Sequence, residues 1–494
     1  MSTVKVSLLQ TFDSNLPEDD EHPYRSGIWQ PQRKEYDAWD MDVVGEIPDD
    51  LSGVYIRNTE NPLFEPIQRY HPFDGDGMLH AISFDNGEAR YSNRFVRTEG
   101  FVAEQQSQES LWAGITEHPS IAIAEKGWGA RSMMKDNGST DVIVHGGVAL
   151  ASFYQCGELY QLDPITMETL GVSSWNGQFP AEGVSAHTKL DEHTGEMLFF
   201  NYSTEAPYMH YGLVSREGEL TNYVDIPLPG PRLPHDMAFT ENYAILNDFP
   251  LFWDPKSLAE GHYSNNYRPD LPSRFAVIPR NGATQDIKWF EADPTFVLHW
   301  TNAYEDGDEI VLDGFFQHNP TGLRRADAPE RSNRKGLGRL GINANETMAH
   351  RWIFNMKTGE CREQPMSDSI VEFPMINGRH AGRRHRYSYN ARGIDGLFAF
   401  DGLVKHDLDT GVEQLVEFPP GTYVSETVMA PRVGSTAEDD GYLLTYTSDT
   451  INNLSECWIL DAADPTTEPL AKIRLPEKIS SGTHATWAPR SDLR

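Results

Sequence analysis

Cysteine is scarce: Cys156, Cys361 and Cys457 are the only three in 494 residues, far apart and without C-x-x-C spacing. That excludes a disulfide framework and a zinc ribbon, and makes a reducing compartment the expectation. Positive charge is scarce too. The chain has 41 Lys and Arg against 74 Asp and Glu, a net of −33, a balance that repels nucleic-acid phosphates and anionic headgroups. The densest basic clusters, Arg324 to Arg339 and Arg379 to Arg386, are interrupted by Gly, Asp and apolar residues and read as solvated loops. No run of 18 apolar residues occurs, and Met1 to Tyr24 is acidic and lacks a signal-peptide core. The expectation is a soluble cytoplasmic protein with no nucleic-acid partner, whose membrane contact, if any, is peripheral. Nucleotide-binding fingerprints of the Rossmann or P-loop kind are absent as well.

Amphipathic helices of 12 or more residues are nearly missing. Short β-branched and aromatic runs recur instead, broken by Asp, Asn and Gly turns. Examples are Phe84-Asp85-Asn86-Gly87-Glu88, Leu190-Asp191 through Gly195-Glu196, and Phe354-Asn355 through Gly359-Glu360. Those residues supply the side-chain cap and positive φ of hairpin turns. Eight such signals with no Pro/Ser-rich linker between them predict one closed all-β meander. Radial closure favours a propeller, because it protects so many strand edges. The turn period is irregular, so the turns alone leave the blade number open. The division expected is an acidic extension over 1–24 and a single propeller domain over 25–494.

Seventeen histidines are present, and four differ in context. His187, His235, His299 and His484 each stand at the edge of an apolar strand, at intervals of 48, 64 and 185 residues. All four could point at one axis, although the spacing is no local ligand motif.

His71-Pro72-Phe73-Asp74-Gly75-Asp76-Gly77-Met78-Leu79-His80 resembles a segment of the carotenoid cleavage oxygenases, a family that includes apocarotenoid- and stilbene-cleaving enzymes. Gly45-Glu46-Ile47-Pro48, Arg57-Asn58, Pro234-His235-Asp236, His299 with Asn302-Ala303-Tyr304-Glu305, Glu372-Phe373-Pro374, Ser425-Glu426 and Gly482-Thr483-His484 resemble further family blocks in the family's order. The resemblance covers about residues 25 to 490. It implies a seven-bladed β-propeller, capped by loops and short helices over an axial non-haem Fe(II) bound by His187, His235, His299 and His484. No catalytic side chain is implied beyond the metal site. Imidazole suits first-row metals, and carboxylates behind the rings orient them and offset the dication's charge. Glu372 and Glu426 match two of the family's three such glutamates.

The third position departs from the pattern. Counting forward from His145-Gly146-Gly147 reaches Tyr154, and counting back from Leu162-Asp163-Pro164 reaches Gln155. Neither is a carboxylate, and Gln155 is the expected neutral stand-in. Stilbene-cleaving members use a lysine just before that glutamate and an upstream tyrosine; Tyr154 and Ile115 take those places here. The resemblance therefore implies O2-dependent cleavage of a C=C bond in an apolar carotenoid or apocarotenoid, giving two carbonyl products. Stilbenoid cleavage is the alternative, and isomerohydrolase chemistry on the same iron a lesser one.

Overall fold

The computed structural model describes residues 4–127, 134–253, 265–321 and 342–493. The basic cluster from Arg324 to Arg339 lies outside the described residues. The architecture is all-β, and its sheets divide into seven radial blades. Blade 1 runs inward through Lys5–Thr11, Lys34–Trp39, Glu88–Phe95, Asp76–Asp85, Gly53–Arg57 and Ala485–Pro489. Blades 2, 3 and 4 are four-stranded sheets starting at Asp141–His145, Lys189–Leu190 and Ala238–Phe239. Blade 5 starts at Trp300–Asp306. Its outer strand is the first part of Cys361–Met375, and the rest of that strand, from Val371, pairs instead with Tyr387–Gly393 as the inner strand of blade 6. Blade 7 is built on Gly441–Asp449 and Leu454–Asp461.

Two exchanges close the ring. Asp42–Gly45, near the N-terminus, pairs with Ala471–Arg474 at the outside of blade 7, and Ala485–Pro489 pairs with Gly53–Arg57 in blade 1. Part of the expected acidic extension over 1–24 is also a strand, since Lys5–Thr11 pairs antiparallel with Lys34–Trp39. Its apolar residues Val6, Leu8 and Leu9 are exposed on that outer edge.

Successive side chains of a strand point to opposite faces, and here both faces of a blade are covered by neighbours. Ile245 packs between blades 4 and 5 while Leu246 packs between blades 3 and 4, and Leu443 and Leu444 divide in the same way around blade 7. Each blade junction has its own apolar cluster, which is why strands such as Met197–Tyr202 are buried along their whole length. Each fully buried Leu or Ile contributes roughly 1.5–3 kcal/mol. Polar turns face outward: Asn86 and Gly87, with φ of 49° and 74°, join two strands of blade 1 in the conformation that the Asn-Gly pair predicts.

The connection from blade 1 to blade 2 carries the helix Glu99–Ser107, capped by Thr98 Oγ1 on the Phe101 N–H at 2.9 Å. It also carries Ile115 and Met134, which pack with Phe73, Phe153, Tyr154 and Ala186. Asp74 and Asp76 of the Asp-Gly-Asp-Gly segment are committed to this packing. Asp74 accepts the Ile115 N–H at 2.8 Å, and Asp76 meets Lys135 Nζ at 2.5 Å. Gly77 permits a close backbone approach, because a Cβ there would stand 2.4 Å from Gly138 O.

Candidate metal centre

Every blade presents one polar residue where its inner strand begins. Around the ring these are His484 (blade 1), Asp141 (2), His187 (3), His235 (4), His299 (5), Glu372 (6) and Glu426 (7). His484 and His299 immediately precede their strands, while Glu426 lies in the break between Thr422–Val424 and Val428–Pro431. Most of the seven lie at the start of an inner strand or up to three residues before it, and Glu372 lies just past the point where Cys361–Met375 passes into blade 6, so residues far apart in sequence converge.

The Nε2 atoms of His187 and His235 are 3.3 Å apart, and those of His235 and His299 are 3.4 Å apart. His187, His299 and His484 each offer a ring nitrogen within 4.8 Å of the others. Two nitrogens bound to one ion at about 2.1 Å stand ~3.0 Å apart in right-angled and ~3.4 Å apart in tetrahedral arrangement, so this spacing suits a shared first-row ion. Behind the rings, His299 Nδ1 meets Glu372 Oε2 at 2.6 Å, His484 Nδ1 meets Glu426 Oε1 at 3.2 Å, and His187 Nδ1 meets Asp141 Oδ2 at 3.2 Å. An Nδ1–H donated to a carboxylate leaves the Nε2 lone pair facing the centre.

Burial sets the protonation of the rings. His187, His235 and His299 are held well below the usual histidine value by burial and by the neighbouring imidazoles or Lys189, which favours the neutral ring, the form of imidazole that can bind a metal. His484 is different: burial disfavours its charge, but Glu426 outweighs that and raises it to about 9. Burial also raises Glu372 to about 8. A dication at the centre would reverse both, drawing the protons off.

The loops that carry these residues are unusual in backbone as well. His187 and His235 both have φ of 62°, and Phe373, next to Glu372, has φ of 53°. Left-handed non-glycine residues cost about 1–3 kcal/mol each and persist where the surroundings over-determine them. Here the determinants are visible. Asp141 Oδ2 accepts the His187 backbone N–H at 3.1 Å. Asp236 accepts the Met237 and Trp300 N–H groups at 2.7 and 2.9 Å and meets Lys189 Nζ at 2.7 Å, tying blades 3, 4 and 5 together. Phe373 stacks on His484, with centroids 4.8 Å apart and planes 16° apart, and its centroid is also 4.8 Å from that of His299.

The structure thus gathers the four expected histidines and sets Glu372 and Glu426 behind two of them. Asp141 has no signal in the sequence pattern that points to them, and Asp236 appears there only within the Pro234-His235-Asp236 block, with no role of its own. Gln155 is wholly buried one residue beyond Tyr154, whose ring centroid is 6.4 Å from that of His235. Among the described residues no carboxylate contacts the His235 ring.

The family described as retinal pigment epithelial membrane protein matches residues 29–489. A carotenoid 9,10(9',10')-cleavage dioxygenase 1 of Pisum sativum is 32% identical over 99% of this chain and 93% of its own length. The chain belongs to the carotenoid cleavage oxygenases. Resveratrol cleavage oxygenase 1 of Aspergillus fumigatus is a further relative, 31% identical over 96% of this chain and 97% of its own. Among solved structures, lignostilbene dioxygenase of Pseudomonas brassicacearum superposes with a TM-score of 0.82 at 28% identity, covering 95% of this chain and 99% of that one. As a member of this family the protein is an oxygen-dependent oxidoreductase, and its family cleaves double bonds. Among the described residues no helix is long and apolar enough to cross a membrane.

Proposed function

We propose that His187, His235, His299 and His484 hold one Fe(II), and that the enzyme uses O2 to cleave a C=C bond of a carotenoid or apocarotenoid into two carbonyl products. The observation that carries this reading is the convergence of the ring nitrogens at 3.3 and 3.4 Å, with a carboxylate behind three of the rings. Iron bound there supplies the site at which dioxygen is activated. The chain's own residues do the rest. Phe373 covers two ligand rings, and Phe73 and Phe398 extend the aromatic surface, with Phe73 5.9 Å from both Tyr154 and Phe398. A wall of this kind excludes water and offers a polyene dispersion contact along its length. Gln155 takes the place of the family's third glutamate as a neutral residue.

A stilbenoid substrate is the second reading, favoured by the likeness to the resveratrol- and lignostilbene-cleaving enzymes. The side chains argue against it. Ile115 and Tyr154 share one apolar cluster, and the buried Lys135 nearby is held between Asp76 and Glu104 at 2.5 Å each. Lys135 is thereby committed to two carboxylates rather than to a phenol, whose burial without a partner is costly. The three cysteines are unpaired, which suits the cytoplasm, and an apolar substrate would be collected by peripheral membrane contact.

The test is anaerobic loading with Fe(II), then product analysis under O2 on a panel of apocarotenals and hydroxystilbenes. Two carbonyl fragments from an apocarotenal, formed without added reductant or 2-oxoglutarate, support the reading. A hydroxystilbene turned over with higher kcat/KM than every apocarotenal reverses the substrate ranking, and a rearranged alcohol replaces cleavage with isomerohydrolase chemistry. Alanine at each of the four histidines should remove most of the iron; full iron in all four variants refutes the ligand set.

A further inference from the structure

We propose that Asp141 is the third carboxylate of the metal centre, orienting His187 as Glu372 orients His299 and Glu426 orients His484. The inference rests on the four-histidine reading above and goes beyond it, since Gln155 at the expected third position brings no charge.

The geometry is specific. Oδ2 of Asp141 is 3.2 Å from His187 Nδ1 and 3.1 Å from the His187 backbone nitrogen. One oxygen therefore faces both the ring and the main chain of the same residue, fixing the imidazole and the left-handed turn that aims it. The other oxygen accepts the Val142 N–H at 2.7 Å, and the main-chain oxygen accepts Asn58 Nδ2 at 3.2 Å. The carboxylate is pinned from three sides. With both residues buried, its interaction with the ring is weakly screened.

The order of the blades gives a second, independent reason. Carboxylates begin the inner strands of blades 2, 6 and 7, and each reaches the histidine of an adjacent blade: Asp141 on blade 2 to His187 on 3, Glu372 on 6 to His299 on 5, and Glu426 on 7 to His484 on 1. His235, on blade 4, is flanked on both sides by blades that begin with histidines. A ring of seven entry positions with four ligands has three places left, and all three hold acids. The centre thus retains three carboxylates, the third standing at Asp141 rather than at Gln155, which follows the neighbouring strand Val148–Ser152 of the same blade.

Asp141 is a positioning residue: it acts on the ion through His187. The experiment is Co(II) binding to metal-free protein by competition titration, with the visible Co(II) spectrum and thermal melting recorded for wild type, Asp141→Asn and Asp141→Glu. Asn keeps an acceptor for the His187 N–H and removes the charge; Glu keeps the charge. The expected result is Co(II) affinity about 10- to 100-fold weaker for Asn, with altered Co(II) bands but a metal-free melting point near wild type, and a smaller loss for Glu. If the Asn variant does not fold, Asp141→Ser, a short uncharged acceptor, decides in the same way. An uncharged variant that binds Co(II) as tightly as a metal-binding wild type, with the same spectrum, overturns this inference alone. A wild type that takes up no metal overturns the four-histidine reading with it.

Discussion

Asp236 Oδ2 accepts the backbone N–H of Trp300 at 2.9 Å, across the boundary between the fourth and fifth blades. Asp236 follows His235 in sequence and Trp300 follows His299, so this bond ties together the segments that carry two of the proposed ligands. Asp236→Ala leaves the Trp300 and Met237 N–H groups and the Lys189 ammonium without their acceptor. Loss of such buried bonds costs roughly 1–3 kcal/mol for each group left unsatisfied. The variant should melt below wild type even without metal and bind Co(II) more weakly, whereas a ligand histidine variant shows mainly the second effect. Differential scanning calorimetry with and without Co(II) separates the two.

Glu372→Gln and Glu426→Gln keep shape and remove charge. Each should weaken metal binding about 10- to 100-fold, the usual effect of losing a group that orients a ligand ring. Glu372 makes the shorter contact, 2.6 Å against 3.2 Å, so its replacement should cost more. Dissociation constants for Fe(II), measured anaerobically, check both the size and the order.

Metal uptake should depend on pH. With His484 raised to about 9 and Glu372 to about 8, the metal-free protein holds a proton on each at neutral pH, and a dication must expel them. Affinity for Co(II) should therefore rise by about ten- to a hundredfold per pH unit near pH 7 and level off above about pH 9. The sign for the metal-free fold is opposite. Both groups bind protons more tightly folded than unfolded, so the stability from His484 is complete below 6.5, its ordinary value, and is lost as pH rises through about 9. Melting points of loaded and metal-free protein should diverge as pH rises.

Gln155→Glu should hold iron at least as tightly as wild type, since the residues are nearly isosteric and an added carboxylate attracts the dication. Iron dissociation constants compared with those of Glu372→Gln decide it. A loss of the same size in Gln155→Glu means that residue 155 does not serve the centre.

The all-β class was legible in turns such as Asn86-Gly87, because a positive φ restricts residue choice locally. The four histidines were legible through ordered family blocks. Asp141 was not, because what marks it is its place at the mouth of an inner strand, and the ring it serves lies 46 residues away. A signal does exist: Asp141, like His299 and His484, is a polar residue at the threshold of an apolar run, and one such threshold is needed per blade. Asp236 stands within the Pro234-His235-Asp236 block, but its bonds to Lys189 and Trp300 cross blades and have no local pattern. The strand Lys5–Thr11 was obscured by the acidic residues that follow it, although its own sequence is alternately polar and apolar at the start.

The exchange of strands at the closure makes the first blade a keystone. His484 stands at the threshold of Ala485–Pro489, the strand that completes blade 1, whereas His187, His235 and His299 belong to blades assembled wholly from the middle of the chain. Any ion gripped by all four rings therefore clamps the seam as well as the axis. Peeling Ala485–Pro489 away from Gly53–Arg57 would pull a ligand with it, so occupancy of the centre and integrity of the seam rise and fall together.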